Sequence, residues 1–251
     1  MIELYNSLSP NVQKIHLMLA ELGVPYRTVP VNIWRGEQFA PDFLALNPNA
    51  KLPLIVEPAS DGSAPLVVFE SGAILIHLAE THGRFLPREP RARAEALQWL
   101  MIQLTGIGPM CGQLNHFMRH APDERYAVTR YATEATRLYR LMEARLAVSP
   151  WLGGAEYGIA DMATFPWVHV EAKILGGRFP FLAEGSPDHP ALWRWYRRIL
   201  DRPAVQAALV EIARYPSNEL TARPDDKDRL FGRGLYADPA ALAINDAKAV
   251  L

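Results

Sequence analysis

Strand-type patterning in this chain stops at Phe69. Short β-type runs alternate with helical periodicity before that point, and every periodic segment beyond residue 93 is helical. Such a chain is confined to a small mixed α/β unit followed by an all-helical one. Ile2 to Tyr5 reads as a strand, and Val12, Ile15, Leu19 and Leu22 follow at helical spacing until Gly23. Tyr26 to Val31 reads as a second strand, and Asp42-Phe43-Leu44 as a short helix before the turn Asn47-Pro48-Asn49. Leu52 to Val56 and Leu66 to Phe69 are two more strands, joined most simply as a hairpin through a turn-rich segment. Glu70-Ser71 opens a helix from Ala73 to Thr81, closed by Gly83. The order βαβαββα makes a three-layer sandwich small enough to need a partner domain.

The expected organisation is an α/β domain over residues 1–83, a linker over 84–92, an all-helical domain over 93–215 and a tail over 216–251. Two prolines and few helix-period contacts mark the linker. Ala94 to Met118 reads as one long helix with a kink at Gly106-Ile107-Gly108-Pro109, where helix propensity falls and an N–H is missing. Tyr126 to Ala147, Ile159 to Ile174, Pro190 to Asp201 and Pro203 to Ala213 supply the remaining helices. The tail, rich in charge and turn formers, reads as an extended wrap with a weak helical pattern at Pro239 to Ala249.

Charge narrows the choice of partners. With 26 basic and 27 acidic residues among 251, and no long run of either sign, no electrostatic feature calls for nucleic acid or a membrane surface. Arg194, Arg197 and Arg198, the densest basic cluster, read as a solvated face or a local ion-pair site. No apolar segment is long enough for a bilayer and no signal core opens the chain, so the cytoplasm is the expected location. A single cysteine, Cys111, agrees with a reducing compartment and reads as a buried structural thiol.

Within this frame Ser9-Pro10-Asn11 stands out, since Ser9 reads as an N-cap and Pro10 as the first helical residue. A hydroxyl, an amide and open backbone N–H groups converge there, and such a point favours an anion, including a thiolate. With Cys111 far away in sequence, a sulfur handled at this turn belongs to a ligand. Tyr5, the nearest tyrosine, lies inside the first strand pattern and reads as structural. His116 and His120 have i,i+4 spacing but no third ligand in the sequence, so they read as the rim of a second-substrate pocket rather than a metal site. Trp99, Met101, Met110, Phe117 and Met118 would line its apolar walls.

The segments Met-Ile-Glu-Leu-Tyr, Asn47-Pro48-Asn49-Ala50-Lys51-Leu52-Pro53, Phe69-Glu70-Ser71-Gly72-Ala73-Ile74-Leu75 and Trp151-Leu152-Gly153-Gly154 together resemble a bacterial cytosolic glutathione S-transferase. The likeness covers residues 1 to about 213. Ser-Pro-Asn, Gly36-Glu37-Gln38-Phe39, Leu97-Gln98-Trp99-Leu100, Gly106 to Met110 and Arg130-Tyr131 are most similar to the Nu class, whose bacterial members are glutathione-dependent disulfide-bond reductases related to fungal nitrogen-regulator homologues. One departure is Gly158, where the superfamily usually has Ser or Thr three residues before a buried aspartate, here Asp161.

The resemblance implies a thioredoxin-like domain joined to a helical bundle, a homodimer, and glutathione, reduced or oxidised, as co-substrate. It implies a cis peptide before Pro53, with Leu52 pairing in strand fashion against the tripeptide backbone. Ser71 would receive the γ-glutamyl carboxylate and Glu70 its ammonium, while Lys51 and Gln38 would meet the other end. Ser9 and Asn11 would donate to the sulfur, with the main donor open between them. Arg130 would reach the glutathione pair. The reading this favours is disulfide reduction with no protein cysteine. Conjugation of electrophiles or β-aryl ether cleavage, and a non-catalytic glutathione-binding regulator, stand beside it.

Overall fold

The computed structural model describes residues 1–59, 62–174 and 188–240. Its sheet has the order β2-β1-β3-β4. β1 (Ile2–Asn6) runs parallel to β2 (Tyr26–Pro30) and antiparallel to β3 (Leu54–Glu57), and β4 (Leu66–Phe69) closes the hairpin. A parallel pair needs a crossover, which α1 (Pro10–Leu22) provides. Side chains alternate across the sheet. Leu4 and Ile55 face Ile15, Leu19, Ile74 and Leu78 of the helices on one side, while Leu54 and Tyr5 join Phe43 of α2 (Pro41–Leu46) on the other. The Tyr5 ring meets Phe43 edge-on at 6.1 Å, in keeping with a structural role.

Helix boundaries follow local chemistry. Gly23 and Gly83 end α1 and α3 (Ser71–His82) in left-handed conformation, as their spacing implies. α4 (Pro90–Ile102) starts inside the segment read as linker, because Pro90 occupies a first-turn position and the Glu89 carboxylate accepts from Arg91 N at 2.9 Å and Ala92 N at 2.7 Å. The irregular stretch is therefore 84–89. Where the sequence predicts a kink, the α pattern is interrupted by a π turn over Gln103–Ile107 that leads into α5 (Gly108–His120). Pro109 then sits in the first turn of α5, where a missing N–H costs least.

α6 (Arg125–Val148), α7 (Ile159–Ile174), α8 (Pro190–Leu200) and α9 (Pro203–Ile212) complete the bundle. Asp161 is fully buried and accepts from Leu152 N at 2.9 Å, Gly158 N at 3.1 Å and the Trp195 indole at 2.7 Å. Burial nevertheless pushes its carboxyl up to about 6. Gly158 has a steric reason, since a Cβ there would lie 2.7 Å from the Phe85 carbonyl oxygen. That same oxygen accepts from Ile159 N and ties the connecting stretch to the helical domain. The basic cluster on α8 is spent locally: Arg198 lies 4.0 Å over the Trp151 ring, Arg194 donates to the Leu146 carbonyl, and Arg197 faces Asp201 at 3.8 Å.

The tail is not simply extended. It carries α10 (Pro224–Phe231), flanked by 3-10 turns at Glu219–Thr221 and Gly234–Tyr236. Most of the weak pattern from Pro239 to Ala249 lies outside the described residues. α10 packs on the 3-10 turn Ile33–Arg35, and Phe231 meets Trp34 at 6.0 Å, so the tail does wrap back over the first domain. Among the described residues no helix is long and apolar enough to cross a membrane.

Candidate functional site

Both helix starts named by the sequence lie on one side of the small sheet. Ser9 caps α1 by accepting from Val12 N at 3.3 Å, and Pro10 is the first helical residue. That bond uses only a lone pair, so the Ser9 hydroxyl proton remains available to a sulfur. Capping and thiol activation are therefore compatible in one side chain. Asn11 is oriented by the second domain: the Trp167 indole on α7 donates to Asn11 Oδ1 at 3.1 Å. Indole nitrogen only donates, so the amide flip is settled and Asn11 Nδ2 is left as the donor.

The loop before β3 holds the opposite flank. The Leu52–Pro53 peptide is cis, as the resemblance implies. Leu52 lies two residues ahead of the paired strand, outside the ladder. Asn47, fully enclosed, donates to the Lys51 carbonyl at 2.7 Å and accepts from Asn49 N at 3.0 Å. Asn49 Nδ2 donates in turn to Glu70 Oε1 at 3.0 Å, which fixes the carboxylate that would take an ammonium group. Glu70 itself has φ 70, a left-handed conformation costing about 1–3 kcal/mol for a residue with a side chain. It occupies the N-cap of α3 without a side-chain capping bond, so the first N–H groups of that helix are left open.

Ser71, the next residue, is 5% exposed and rests on a buried lysine. Lys14 on α1 is 1% exposed; its ammonium donates to Ser71 Oγ at 3.2 Å and to Gln103 Oε1 at 2.6 Å. Burial pulls its pKa down to about 7, and the Glu70 carboxylate opposes that fall. Gln103 reaches this point because the π turn approaches α3 closely: a Cβ on Gly72 would lie 2.3 Å from Leu104 Cδ1. Behind the same helix His16 bridges Tyr26 and Asn6. Burial holds it down to about 4, so the neutral ring donates to Asn6 Oδ1 at 3.0 Å and accepts from the Tyr26 hydroxyl at 2.8 Å.

The remaining named residues are less tightly held. Lys51 is exposed, Gln38 is 3% exposed with its Oε1 unpartnered among the described residues, and Arg130 stands exposed on α6. Next to the α1 start opens a cavity of about 590 Å³, bordered by Leu8, Pro10, Cys111, Asn115, Trp167 and Ile212. Its walls differ from the expected set. Trp99 lies under the Arg145 guanidinium, Met101 is exposed, Met110 and Met118 pack on the main core, and Phe117 stacks on Tyr131 at 5.6 Å. Helical stripes of such residues are more often core than pocket, and that is where Trp99, Met110 and Met118 went. His116 and His120 border a neighbouring cavity of about 530 Å³ with Trp34 and Phe231, and Phe231 lies against both rings at 4.8 and 4.6 Å.

Lys14, Asn49, Gln103 and Trp167 escaped the sequence reading. A lysine amid Val12, Ile15 and Leu19 on an apolar helix face was a usable signal. The other three act across chain separations that no local pattern encodes.

A small mixed sheet with a cis-proline loop and two open helix starts, joined to a helical bundle, defines a thiol-peptide-binding transferase architecture. Family models for the glutathione S-transferase N-terminal and C-terminal domains match residues 8–81 and 125–198. The chain is 46% identical over 213 residues to the disulfide-bond oxidoreductase YfcG of Escherichia coli, covering 84% of this chain and 95% of that protein. A glutathione transferase family member from Pseudomonas fluorescens, solved with two glutathione bound, matches with TM-score 0.76 at 39% identity over 83% of this chain and 92% of its own. One from Pseudomonas putida, with one glutathione disulfide bound per subunit, matches with TM-score 0.76 at 38% identity, covering 83% and 90%. This chain belongs to the glutathione S-transferase family.

Proposed function

We propose that the protein is a glutathione-dependent disulfide-bond oxidoreductase in which bound glutathione supplies all the reacting sulfur. The observation that carries this is the pair of donors at the α1 start, the Ser9 hydroxyl and Asn11 Nδ2, set in a chain whose one cysteine is buried. Together with the helix dipole they stabilise a glutathione thiolate. That thiolate attacks one sulfur of a disulfide, forming a mixed disulfide and expelling the other sulfur as a thiolate, which takes up a proton. A second glutathione thiolate attacks the glutathione sulfur of the mixed disulfide and releases glutathione disulfide and the second substrate thiol. Two thiols are oxidised and one disulfide is reduced.

In this reading Ser71 and the open N-terminus of α3 hold the γ-glutamyl carboxylate, and Glu70, fixed by Asn49, holds its ammonium. Leu52 pairs with the peptide backbone ahead of Pro53, Gln38 and Lys51 meet the glycine end, and Arg130 contacts the second glutathione. The working form is a homodimer in the cytoplasm. Relatives support this reading: YfcG is a disulfide-bond oxidoreductase, and solved relatives hold two glutathiones or the disulfide.

Glutathione-dependent reduction of a small aliphatic disulfide tests the proposal. Turnover well above uncatalysed exchange is expected, and a rate equal to it would overturn the reading. The cavity beside Trp167 gives electrophile conjugation some support as a second activity, because its walls include Leu8, Trp167, Leu209 and Ile212. Rapid turnover of chlorodinitrobenzene with feeble disulfide reduction would favour it.

A further inference from the structure

A cation has been placed beneath the carboxylate end of the site at some cost in stability. An uncharged side chain of similar length at position 14 would avoid burying an ammonium group, which is unfavourable unless the charge is used. Lys14 is used in one direction: its ammonium touches Ser71 Oγ at 3.2 Å and Gln103 Oε1 at 2.6 Å. An ammonium only donates, so Ser71 Oγ accepts, and the hydroxyl proton of Ser71 must point to another acceptor. Of the elements packed on α1, α3 presents Ser71 and the Glu70 carboxylate, and the π turn presents the neutral Gln103. Among the described residues Glu70 is the charged group that acts on Lys14, and α7 and α9 set no opposing charge against it. In the reading above Glu70 is engaged by the ligand ammonium, so Lys14 is matched only when a carboxylate arrives over Ser71.

We propose that Lys14 is a positioning residue for glutathione: docked on Ser71 and Gln103, it aims the Ser71 proton at the γ-glutamyl carboxylate, supplies its counter-charge, and gains a proton as the ligand binds. This rests on the assignment of the Ser71 side to the γ-glutamyl end. The burial that pulls Lys14 down to about 7 leaves it mostly neutral at pH 8 in the empty protein. An arriving anion favours the charged form, so binding at pH 8 draws a proton from solution. At pH 6 Lys14 is already charged and none is drawn.

Calorimetric titration with S-methylglutathione, which has no thiol to release a proton, reads this directly when repeated in buffers of different ionisation enthalpy. Wild-type protein is expected to take up close to one proton per site at pH 8 and close to none at pH 6. Lys14→Met should lose the uptake and bind about tenfold or more weakly at pH 6. Lys14→Arg, which stays charged at both pH values, should retain more of the affinity than Lys14→Met and show no uptake. Binding with no proton uptake by the wild type, or uptake that persists in Lys14→Arg, would overturn the inference, and the arginine variant serves if the methionine variant fails to fold. Absence of any S-methylglutathione binding would instead overturn the glutathione site itself.

Discussion

The two walls of the cleft are built by different means. On the inner wall, Lys14, Ser71 and Gln103 are buried and joined by hydrogen bonds that cross from one domain to the other. On the outer wall, the tail is held by the ion pair of Arg119 with Glu219 and by ring contacts of Phe231 with Trp34, His116 and His120. Exposed pairs contribute at most about 1 kcal/mol each, whereas an orphaned buried polar group costs about 1–3 kcal/mol. The inner wall thus has one arrangement, suited to a ligand that does not vary. The outer wall rests on weaker contacts at the surface, which in the proposed function border the second substrate.

The largest expected effect is on folding, in the buried core of the helical domain behind the cleft. Asp161→Ala leaves Leu152 N, Gly158 N and the Trp195 indole without their acceptor and should destabilise by about 3 kcal/mol or more in denaturant unfolding. Next, Glu70→Ala should raise the KM for glutathione about 100-fold while leaving the fold intact, since the residue is exposed and, in the proposed function, its charge holds the ligand ammonium. Ser9→Ala and Asn11→Ala should each lower kcat/KM by about 10-fold or more, and the larger loss identifies the main donor to the sulfur. On the outer wall, Phe231→Ala should change the KM for the disulfide only a few-fold and leave that for glutathione unchanged.

Stability against pH sharpens the same contrast. Lys14 titrates near 7 in the folded chain and near 10.5 when unfolded. Between those values the unfolded chain holds more protons, so stability should rise with pH across that window and the contribution should be lost as pH falls through 7. Lys14→Met should lack that rise in melting experiments, whereas no change of slope should follow from Phe231→Ala.

How far the sequence could be read follows the same division. Ser9, Glu70-Ser71 and Leu52-Pro53 were legible because caps, helix starts and X-Pro bonds are written in adjacent residues. The element order and both helix stops at Gly23 and Gly83 were legible for the same reason, whereas the spatial order of the strands was not. Lys14 and Gln103 were not, because they meet across 89 residues and through a π turn that no periodicity announces. α10 was missed although Pro224, Asp225-Asp226 and Gly232 mark its two ends, since an eight-residue helix has too few turns to show an apolar stripe. The pocket walls were misassigned because a stripe of methionines and aromatics looks the same whether it lines a cavity or fills a core.

The central claim is that no protein sulfur takes part in the chemistry, and Cys111→Ser tests it most directly. With Cys111 buried at the edge of the cavity, the account predicts that glutathione-dependent disulfide reduction by the variant matches the wild type once folding is verified. A folded variant whose rate falls to that of uncatalysed thiol–disulfide exchange would contradict it.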